Sequence, residues 1–371
     1  MSDLLYSEVE EDLRASVRDL FRDRAEPAAL ITRTETAEPY DLSLWRTLAA
    51  DLGAAGLAVP EALGGHGASA REVAVVMEEL GRSVAPVPYL GSAVLATSAL
   101  LATDTSQAEV AEKLGKLAAG ALIGALAVPL STAPGAEFPS TVTAAADGTL
   151  SGGIRSVADG SVAELIVVPA VGPDGPGLYT VDAASAGVTV TEAISLDLTR
   201  RIADVTLENV AAKRVADATT AASALDTALV TAAGLLASEQ LGIAEWALTE
   251  TVRYLKERYQ FGRQVGSFQS LKHRLANLYT DLVNARATAR YAADCLASGE
   301  DIAIAVAVAQ ARNSPIAVHA AEEAVQLHGG IGMTWEHPAH LYLKRAKSDE
   351  IALGTPGRHR AALAPLIDLP A

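Results

Sequence analysis

Apolar residues recur every three or four positions along the first third of the chain, the spacing produced by one face of an α-helix. In YSEVEEDLRASVRDLF this spacing predicts an apolar stripe of Val9, Leu13, Val17, Leu20 and Phe21. A later segment opens on Ser69, with Glu72 three residues on, which is the pattern of a capping box. Residues 1–121 are therefore predicted to form an all-helical domain.

The pattern changes near residue 122 to short segments that are rich in Val, Thr and Ile. Gly, Asp and Pro separate these segments, and helices do not tolerate so many breakers. The segments are STVTAAADGTLSGGIRSV, ELIVVPAV, GLYTVDA, GVTVTEAI and IADVTLENV. Residues 122–213 are predicted to form an antiparallel β domain.

Helical spacing returns at about residue 214 and continues to residue 371. Long helices are predicted at roughly 222–258, 268–297, 301–327 and 337–352. In the second of them, one apolar stripe comprises Phe268, Leu271, Leu275, Leu278 and Leu282. Such a stripe is what helix-bundle packing requires, so residues 214–371 are predicted to form a helical bundle domain.

Charge and composition narrow the classes of function. The net charge of −16 at pH 7 argues against nucleic-acid binding and against binding to anionic membranes. Two charge-free stretches, 83–103 and 117–136, are interrupted by Pro or Gly and are predicted to be core segments, not membrane spans. The single cysteine, Cys295, excludes an internal disulfide and a cysteine zinc site. The acidic N-terminus does not resemble a signal peptide, so a cytoplasmic protein is expected.

A basic turn stands out in this acidic chain. The segment RYLKERYQFGRQVGSFQSLKHR contains one acid, Glu257, and six cations: Arg253, Lys256, Arg258, Arg263, Lys272 and Arg274. Gly262 and Gly266 permit close approach of backbone to a ligand, and arginines with exposed amides suit a phosphate or pyrophosphate. The alternative is a solvated basic face at a helix joint, which composition alone favours.

Two further groups have the residue types of a functional site. Glu336, His337 and His340 are potential metal ligands, but Pro338 lies between the histidines and no second cluster is evident, so no metal site is predicted. Asp197 and Arg200 lie at a strand turn, and a structural ion pair between them is expected.

Two C-terminal motifs give the chain a specific resemblance. RYQFGRQVGSFQ matches the R-x-QFG-R-x-x-x-x-FQ signature of the acyl-CoA dehydrogenase family, and QLHGGIGMT matches its Q-x-HGG-x-G-x-T signature. The segments DLGAAGLAVPEALGGHGASAREVAVVMEELGRSVAPVP and LSLDLTRRIADVTLENV are similar to its N-terminal and β-domain patterns, so the resemblance covers nearly the whole chain. It implies the acyl-CoA dehydrogenase fold with helical, β and four-helix-bundle domains, FAD as cofactor, and α,β-dehydrogenation of an acyl-CoA thioester.

The resemblance also implies a set of cofactor-binding residues, part of which reaches the FAD of a neighbouring subunit. They are Arg258, Gln260, Phe261, Gln269, Gln326, His328, Gly329, Gly330 and Thr355. The implied partners are a homologous catalytic subunit in a heterotetramer, an acyl-CoA substrate and an electron-accepting flavoprotein.

The residue that should remove the substrate's α-proton is missing. The family most often places a glutamate directly before a Gly-Thr pair near the C-terminus, and this chain has Leu353 there. Some members place the glutamate near the start of the first long C-terminal helix, where this chain has Ala232, followed by Ala233. The β-domain patterns are altered too, with Ser156 replacing the aromatic residue that covers the flavin and Ala158 replacing a threonine.

Three hypotheses follow. In the first, the chain lacks its own base and completes the FAD site of a catalytic partner subunit. In the second, it is a homo-oligomeric dehydrogenase whose base is displaced to Glu239, Asp349 or Glu350. In the third, it is a non-redox scaffold or acyl-CoA-binding module, because a fold does not determine a function.

Overall fold

A computed structural model describes residues 4–369 of the protein. The N-terminal part is helical, as the sequence predicts. Its helices are α1 (Glu8–Arg24), α2 (Pro27–Thr34), α3 (Leu42–Arg46), α4 (Ala70–Ser83), α5 (Thr97–Leu101) and α6 (Ala108–Ala118). A wider π-helical segment, Tyr89–Ala96, leads into α5 and is fully buried, which confirms that this charge-free stretch is core.

The start of α4 confirms the predicted capping box. Ser69 Oγ accepts from the backbone N–H of Arg71 at 3.1 Å, and Glu72 Oε2 accepts from the N–H of Ser69 at 2.9 Å. The predicted stripe on α1 is only partly right: Val17 and Phe21 are buried, but Val9 is 67% exposed. Helix α1 instead turns Glu10 inward, where it meets two arginines of other helices.

The middle of the chain forms one eight-stranded sheet in the order β6-β7-β3-β2-β4-β5-β8, with β1 paired to β4. The strands are β1 (Gly124–Leu126), β2 (Val142–Ala144), β3 (Thr149–Ala158), β4 (Leu165–Gly172), β5 (Gly175–Asp182), β6 (Val188–Glu192), β7 (Ile202–Ala211) and β8 (Lys213–Ala216). All five predicted segments contain strands. The sheet is antiparallel apart from the parallel pairings of β4 with β1 and with β2.

Long helices form the C-terminal part, and their observed ends lie within two residues of the predicted ones. They are α7 (Ala221–Glu257), α8 (Gln269–Ser298), α9 (Ile302–Leu327), α10 (Ala339–Ile351) and the shorter α11 (Pro356–Leu366). A two-stranded hairpin, β9 (Tyr259–Gln260) and β10 (Arg263–Gln264), connects α7 to α8. On α8, Leu278 and Leu282 are buried, whereas Phe268, Leu271 and Leu275 are half-buried.

Helix α7 is the central helix of the bundle. It is long and apolar enough to cross a membrane, but 67% of its most apolar 18-residue stretch is buried within the protein, as in the core of a bundle. Two glycines bring its backbone against that of α4. A Cβ on Gly81 of α4 would lie 1.9 Å from Glu239 O, and a Cβ on Gly242 of α7 would lie 1.9 Å from Glu78 O.

The domain boundaries stay predictions. The first, between residues 121 and 122, lies between α6 and β1. The second, between residues 213 and 214, falls within strand β8, because this strand continues to Ala216 before α7 begins.

Candidate functional site

The chain breaks sharply between α10 and α11. Leu353 and Gly354 both have positive φ angles, 55° and 102°. Thr355 then caps α11, accepting from the backbone N–H of Arg358 at 3.4 Å, and Pro356 occupies the first helical position. Leu353 is 0% exposed, so its apolar side chain is part of the protein core.

Backbone hydrogen bonds tie this break to the β domain. The N–H of Leu353 donates to Leu130 O at 2.7 Å, and the N–H of Leu130 donates to Ser156 O at 2.9 Å. The ring of His359 lies with Nε2 2.9 Å from Leu353 O, so this nitrogen carries the donated proton. The polar backbone groups of Leu130 and Leu353 are therefore satisfied by protein, and Leu130, like Leu353, is buried. Through Leu130, these backbone hydrogen bonds connect the helix break to strand β3.

The second position at which a base is sought is also apolar. Ala232 and Ala233 lie in α7 and are 0% exposed. Gln310 Nε2 donates to the carbonyl oxygen of Ala233 at 2.6 Å, so the groove beside these alanines is occupied by another side chain of the bundle.

A buried ion network lies between the β domain and the bundle. Arg200 contacts Glu239 Oε2 at 2.5 Å and Asp349 Oδ1 at 2.7 Å. Arg345 contacts Asp197 Oδ2 and Glu239 Oε1, each at 2.7 Å. The expected pair between Asp197 and Arg200 is therefore wrong. Arg200 extends into the bundle, where Glu239 and Asp349 require a cation, and Asp197 pairs with Arg345.

The network contains more carboxylates than cations, and the pKa values respond accordingly. Burial and the neighbouring Glu239 carboxylate raise the pKa of Asp349 well above its usual range. Burial alone would also raise the pKa of Glu239, but Arg200 and Arg345 lower it. Asp349 Oδ2 makes no hydrogen bond within the described residues. Protonation of Asp349 would leave two carboxylates and two guanidinium groups in the network, so that its charges balance.

This arrangement bears on the displaced-base hypothesis. Glu239 and Asp349 are at most 1% exposed, and both are held by arginines. Glu350 is half-buried on α10, with Oε2 3.6 Å from Lys347 Nζ. These contacts are those of structural ion pairs.

The basic turn presents its side chains outward. Arg258, Gln260 and Phe261 are exposed, and Phe261, with a φ of 54°, is 90% exposed. The guanidinium of Arg263 lies over the Phe268 ring, 3.8 Å from its centroid, which fixes the base of the hairpin. The hairpin thus holds a large aromatic side chain and a cation where a second molecule can contact them.

The glycine turn after α9 lies close to this hairpin. Gly329 and Gly330 are exposed, and a Cβ on either would meet nothing within 4 Å, so a ligand can approach their backbone. The Tyr254 ring, one turn before Arg258, lies 4.5 Å from the ring of His328 and joins the two segments.

The remaining predicted cofactor-binding residues lie in different environments. Gln326 and Gln269 are exposed, and the Gln269 amide lies 3.0 Å from His273 Nε2. Thr355 belongs to the helix break beside Leu353. His328 is 2% exposed, so its side chain faces the interior and only its backbone can face a cofactor.

One cluster is not predicted from the sequence, in which His337 lies next to Glu336 and near His340. In the structure, His337 lies beside His328 and Glu250. One potential ligand atom of each of these three residues lies within 4.8 Å of the other two. Burial lowers the pKa of His328 and of His337, which keeps both imidazoles neutral at pH 7. These residues come from three separate segments of the chain, so sequence spacing does not reveal the cluster.

Comparison with known proteins identifies the family. The N-terminal domain of acyl-CoA dehydrogenases matches residues 7–121, and their C-terminal domain matches residues 205–365. The chain belongs to the acyl-CoA dehydrogenase family, and the predicted fold is confirmed.

Individual relatives match along nearly the whole chain. Acyl-CoA dehydrogenase IpdE2 of Mycolicibacterium smegmatis is 37% identical over 350 residues, covering 94% of this chain and 96% of the relative. The solved ChsE4-ChsE5 complex from Mycobacterium tuberculosis includes a chain that is 30% identical, with a TM-score of 0.86 and full coverage of both chains. A variant of the Tcur3481-Tcur3483 steroid ACAD is 32% identical, with a TM-score of 0.84, covering 97% of this chain and 98% of its own.

FAD is the cofactor of this family, and the residues present fit only part of it. The exposed Arg258 and the open backbone of Gly329 and Gly330 suit a phosphate-containing group from outside this chain. Beside Leu353 the chain offers a flavin ring fewer contacts, because the backbone N–H groups of Leu130 and Leu353 already donate to protein carbonyls and Ser156 provides no aromatic cover.

Proposed function

We propose that this chain is a non-catalytic subunit of a heteromeric, FAD-dependent acyl-CoA dehydrogenase. It completes the FAD site of a homologous catalytic subunit, most simply within a heterotetramer, and that partner removes the α-proton of the acyl-CoA thioester. An electron-accepting flavoprotein reoxidises the flavin, and the assembly is cytoplasmic.

The proposal rests mainly on Leu353, a buried apolar residue at the position where the family most often has its base. Removal of a weakly acidic α-proton requires a base, usually a carboxylate shielded from water. At this position the chain has a buried leucine whose backbone N–H is bound to Leu130, and the alternative position has Ala232. The exposed hairpin and glycine turn, by contrast, retain the features that a neighbour's cofactor requires.

Two structural neighbours support the heteromeric part of the proposal. Both the ChsE4-ChsE5 complex and Tcur3481-Tcur3483 are named as pairs of different proteins, and both exceed 25% identity to this chain over nearly its full length. We extend that two-chain organisation to this protein.

The test is co-expression with a homologue that has glutamate directly before its Gly-Thr pair. The complex and the lone chain are compared for bound-flavin absorbance and for acyl-CoA-dependent dye reduction. We expect FAD and turnover in the complex and neither in the lone chain. Replacing the partner's glutamate by glutamine should abolish turnover while FAD remains bound.

Other outcomes distinguish the alternatives. Stoichiometric FAD and turnover in the lone chain would favour a homo-oligomer with a displaced base, and Glu239→Gln, Asp349→Asn and Glu350→Gln would then identify it. A stable complex without FAD would favour the non-redox module.

A further inference from the structure

A compact group of metal-ligand side chains lies where three helices of the bundle meet. Glu250 is in the last third of α7, His328 immediately follows α9, and His337 precedes α10. One ligand-type atom from each lies within 4.8 Å of the other two. The group lies directly beneath the Gly329–Gly330 turn, since His328 is the adjacent residue.

His328 supplies the strongest indication of a ligand. Its Nδ1 lies 2.7 Å from the carbonyl oxygen of Ala324, so Nδ1 donates the ring proton and Nε2 keeps its lone pair. Nε2 is buried and has no hydrogen-bond partner among the described residues. A carbonyl that fixes the tautomer while the other nitrogen remains available is the arrangement of metal-binding histidines.

The other two side chains are able to turn toward the same point. His337 Nδ1 accepts from the N–H of Ala339 at 3.3 Å, a long hydrogen bond that is readily given up when the ring rotates. Both oxygens of Glu250 accept from Arg253 on the solvent side of α7, Oε2 from Nε at 3.0 Å and Oε1 from Nη2, so metal binding requires that Glu250 exchange this ion pair for the metal. Arg253 also contacts Glu257 Oε2 at 2.8 Å, so it retains a carboxylate partner if Glu250 turns inward.

We propose that Glu250, His328 and His337 bind one Zn²⁺ ion. Two imidazoles and a carboxylate form a common zinc donor set, with water as the fourth ligand. Bonds of about 2.0–2.1 Å place tetrahedral ligand atoms roughly 3.3 Å apart, so binding contracts the cluster. The ion ties the end of α7 to the glycine turn and to the start of α10. Its role is structural, and it is independent of whether the chain has a catalytic partner.

The test uses the full chain after chelator treatment and dialysis. Zn²⁺ is titrated by calorimetry, and Co²⁺ is added separately to record its visible d–d absorption. We expect one ion per chain, a Co²⁺ spectrum of four-coordinate nitrogen and oxygen type, and a metal-dependent rise in Tm.

Three variants and one control locate the ion. His328→Phe keeps a ring against Tyr254, and His337→Phe keeps a ring against His328. Glu250→Gln keeps the shape of the side chain, and each of the three variants should weaken Zn²⁺ binding at least tenfold. His340→Gln, on the same segment but outside the cluster, should bind as the unaltered chain does. If His328→Phe fails to fold, the other two variants decide. Absence of binding at millimolar Zn²⁺, or equal binding in His337→Phe and Glu250→Gln, would overturn the proposal.

Discussion

The backbone N–H of Leu353 donates a 2.7 Å hydrogen bond to the carbonyl oxygen of Leu130. Both residues are buried, at 0% and 8% exposure. A residue that would have to reach a substrate is thus held inside the protein by backbone as well as by packing. The apolar side chain and the backbone hydrogen bond at Leu353 are two separate features that a catalytic carboxylate at this position would have to replace.

Leu353→Glu should therefore not create a dehydrogenase. The new carboxylate enters an apolar site without a partner, and we expect the free energy of unfolding to fall by about 3–5 kcal/mol at pH 7. Because burial raises the pKa of such a group, the loss should grow as pH rises above about 4.3. Chemical denaturation at several pH values measures it, with Leu353→Met as a volume-conserving control. Acyl-CoA-dependent dye reduction by the Leu353→Glu chain on its own would contradict this prediction.

The ion network predicts unequal effects of two conservative substitutions. The raised pKa of Asp349 favours its neutral form in the folded protein, so we expect Asp349→Asn to cost about 1 kcal/mol or less. Glu239→Gln leaves Arg200 and Arg345 without their shared carboxylate and should cost about 3–5 kcal/mol. Urea denaturation of both variants compares them. Equal costs would show that Asp349 is ionised.

Glu10 should make a measurable contribution to acid sensitivity. Burial opposes its ionisation, but hydrogen bonds from Arg71, the Ser7 N–H and Arg290 lower the pKa of Glu10 to about 2. A lowered pKa stabilises the fold above the unfolded value of about 4.3, and that stability, on the order of 2–3 kcal/mol, is lost as pH falls toward 2. Glu10→Gln should flatten the fall in unfolding free energy between pH 5 and pH 3. An unchanged slope would argue against the shift.

That variant carries a second expectation at neutral pH. Arg290 is 2% exposed and loses its carboxylate partner, so Glu10→Gln should also lower stability by about 3–5 kcal/mol at pH 7. Glu11→Gln is a suitable control, because Glu11 is exposed on the same helix.

The crossing of α4 and α7 depends on two glycines. Gly81→Ala and Gly242→Ala would each place a methyl group 1.9 Å from a backbone carbonyl oxygen, and helix separation should cost about 2–3 kcal/mol or more. Gly234→Ala, on α7 as well, meets side-chain atoms and no backbone, with Leu296 Cδ1 at 2.6 Å and Val306 Cγ2 at 3.1 Å. Its cost should be smaller, since alanine favours the helix by about 1 kcal/mol. Thermal unfolding ranks the three variants, and equal Tm values would contradict the close crossing.

Much of the fold is predictable from sequence because it depends on local chemistry. The capping box at Ser69 and Glu72, the breakers between strands and the apolar spacing of the long helices act within a few residues of one another. They place the helix ends of the bundle to within two residues. Val9 is an exception, because the salt bridges that draw Glu10 inward come from Arg71 and Arg290.

The site is less predictable because its contacts join distant segments. Arg200 lies 39 residues from Glu239 and 149 from Asp349, so the sequence pairs it with the adjacent Asp197 instead. The loss of a base at Leu353 is visible in the motif. The hydrogen bond from Leu353 to Leu130 cannot be predicted from the motif, since a backbone hydrogen bond leaves no residue signature. The grouping of Glu250 with two histidines is hidden for the same reason.

The hydrogen bond between Leu353 and Leu130 also bears on whether a carboxylate could be accommodated at position 353. A carboxylate introduced alone would be buried without a partner, and loss of the hydrogen bond alone would leave the N–H of Leu353 and the carbonyl of Leu130 unpaired. Each single step is worse than the present state, so the two changes would have to occur together. If the chain is the non-catalytic subunit proposed above, its need for a partner follows from the packing around Leu353 as well as from the identity of that side chain.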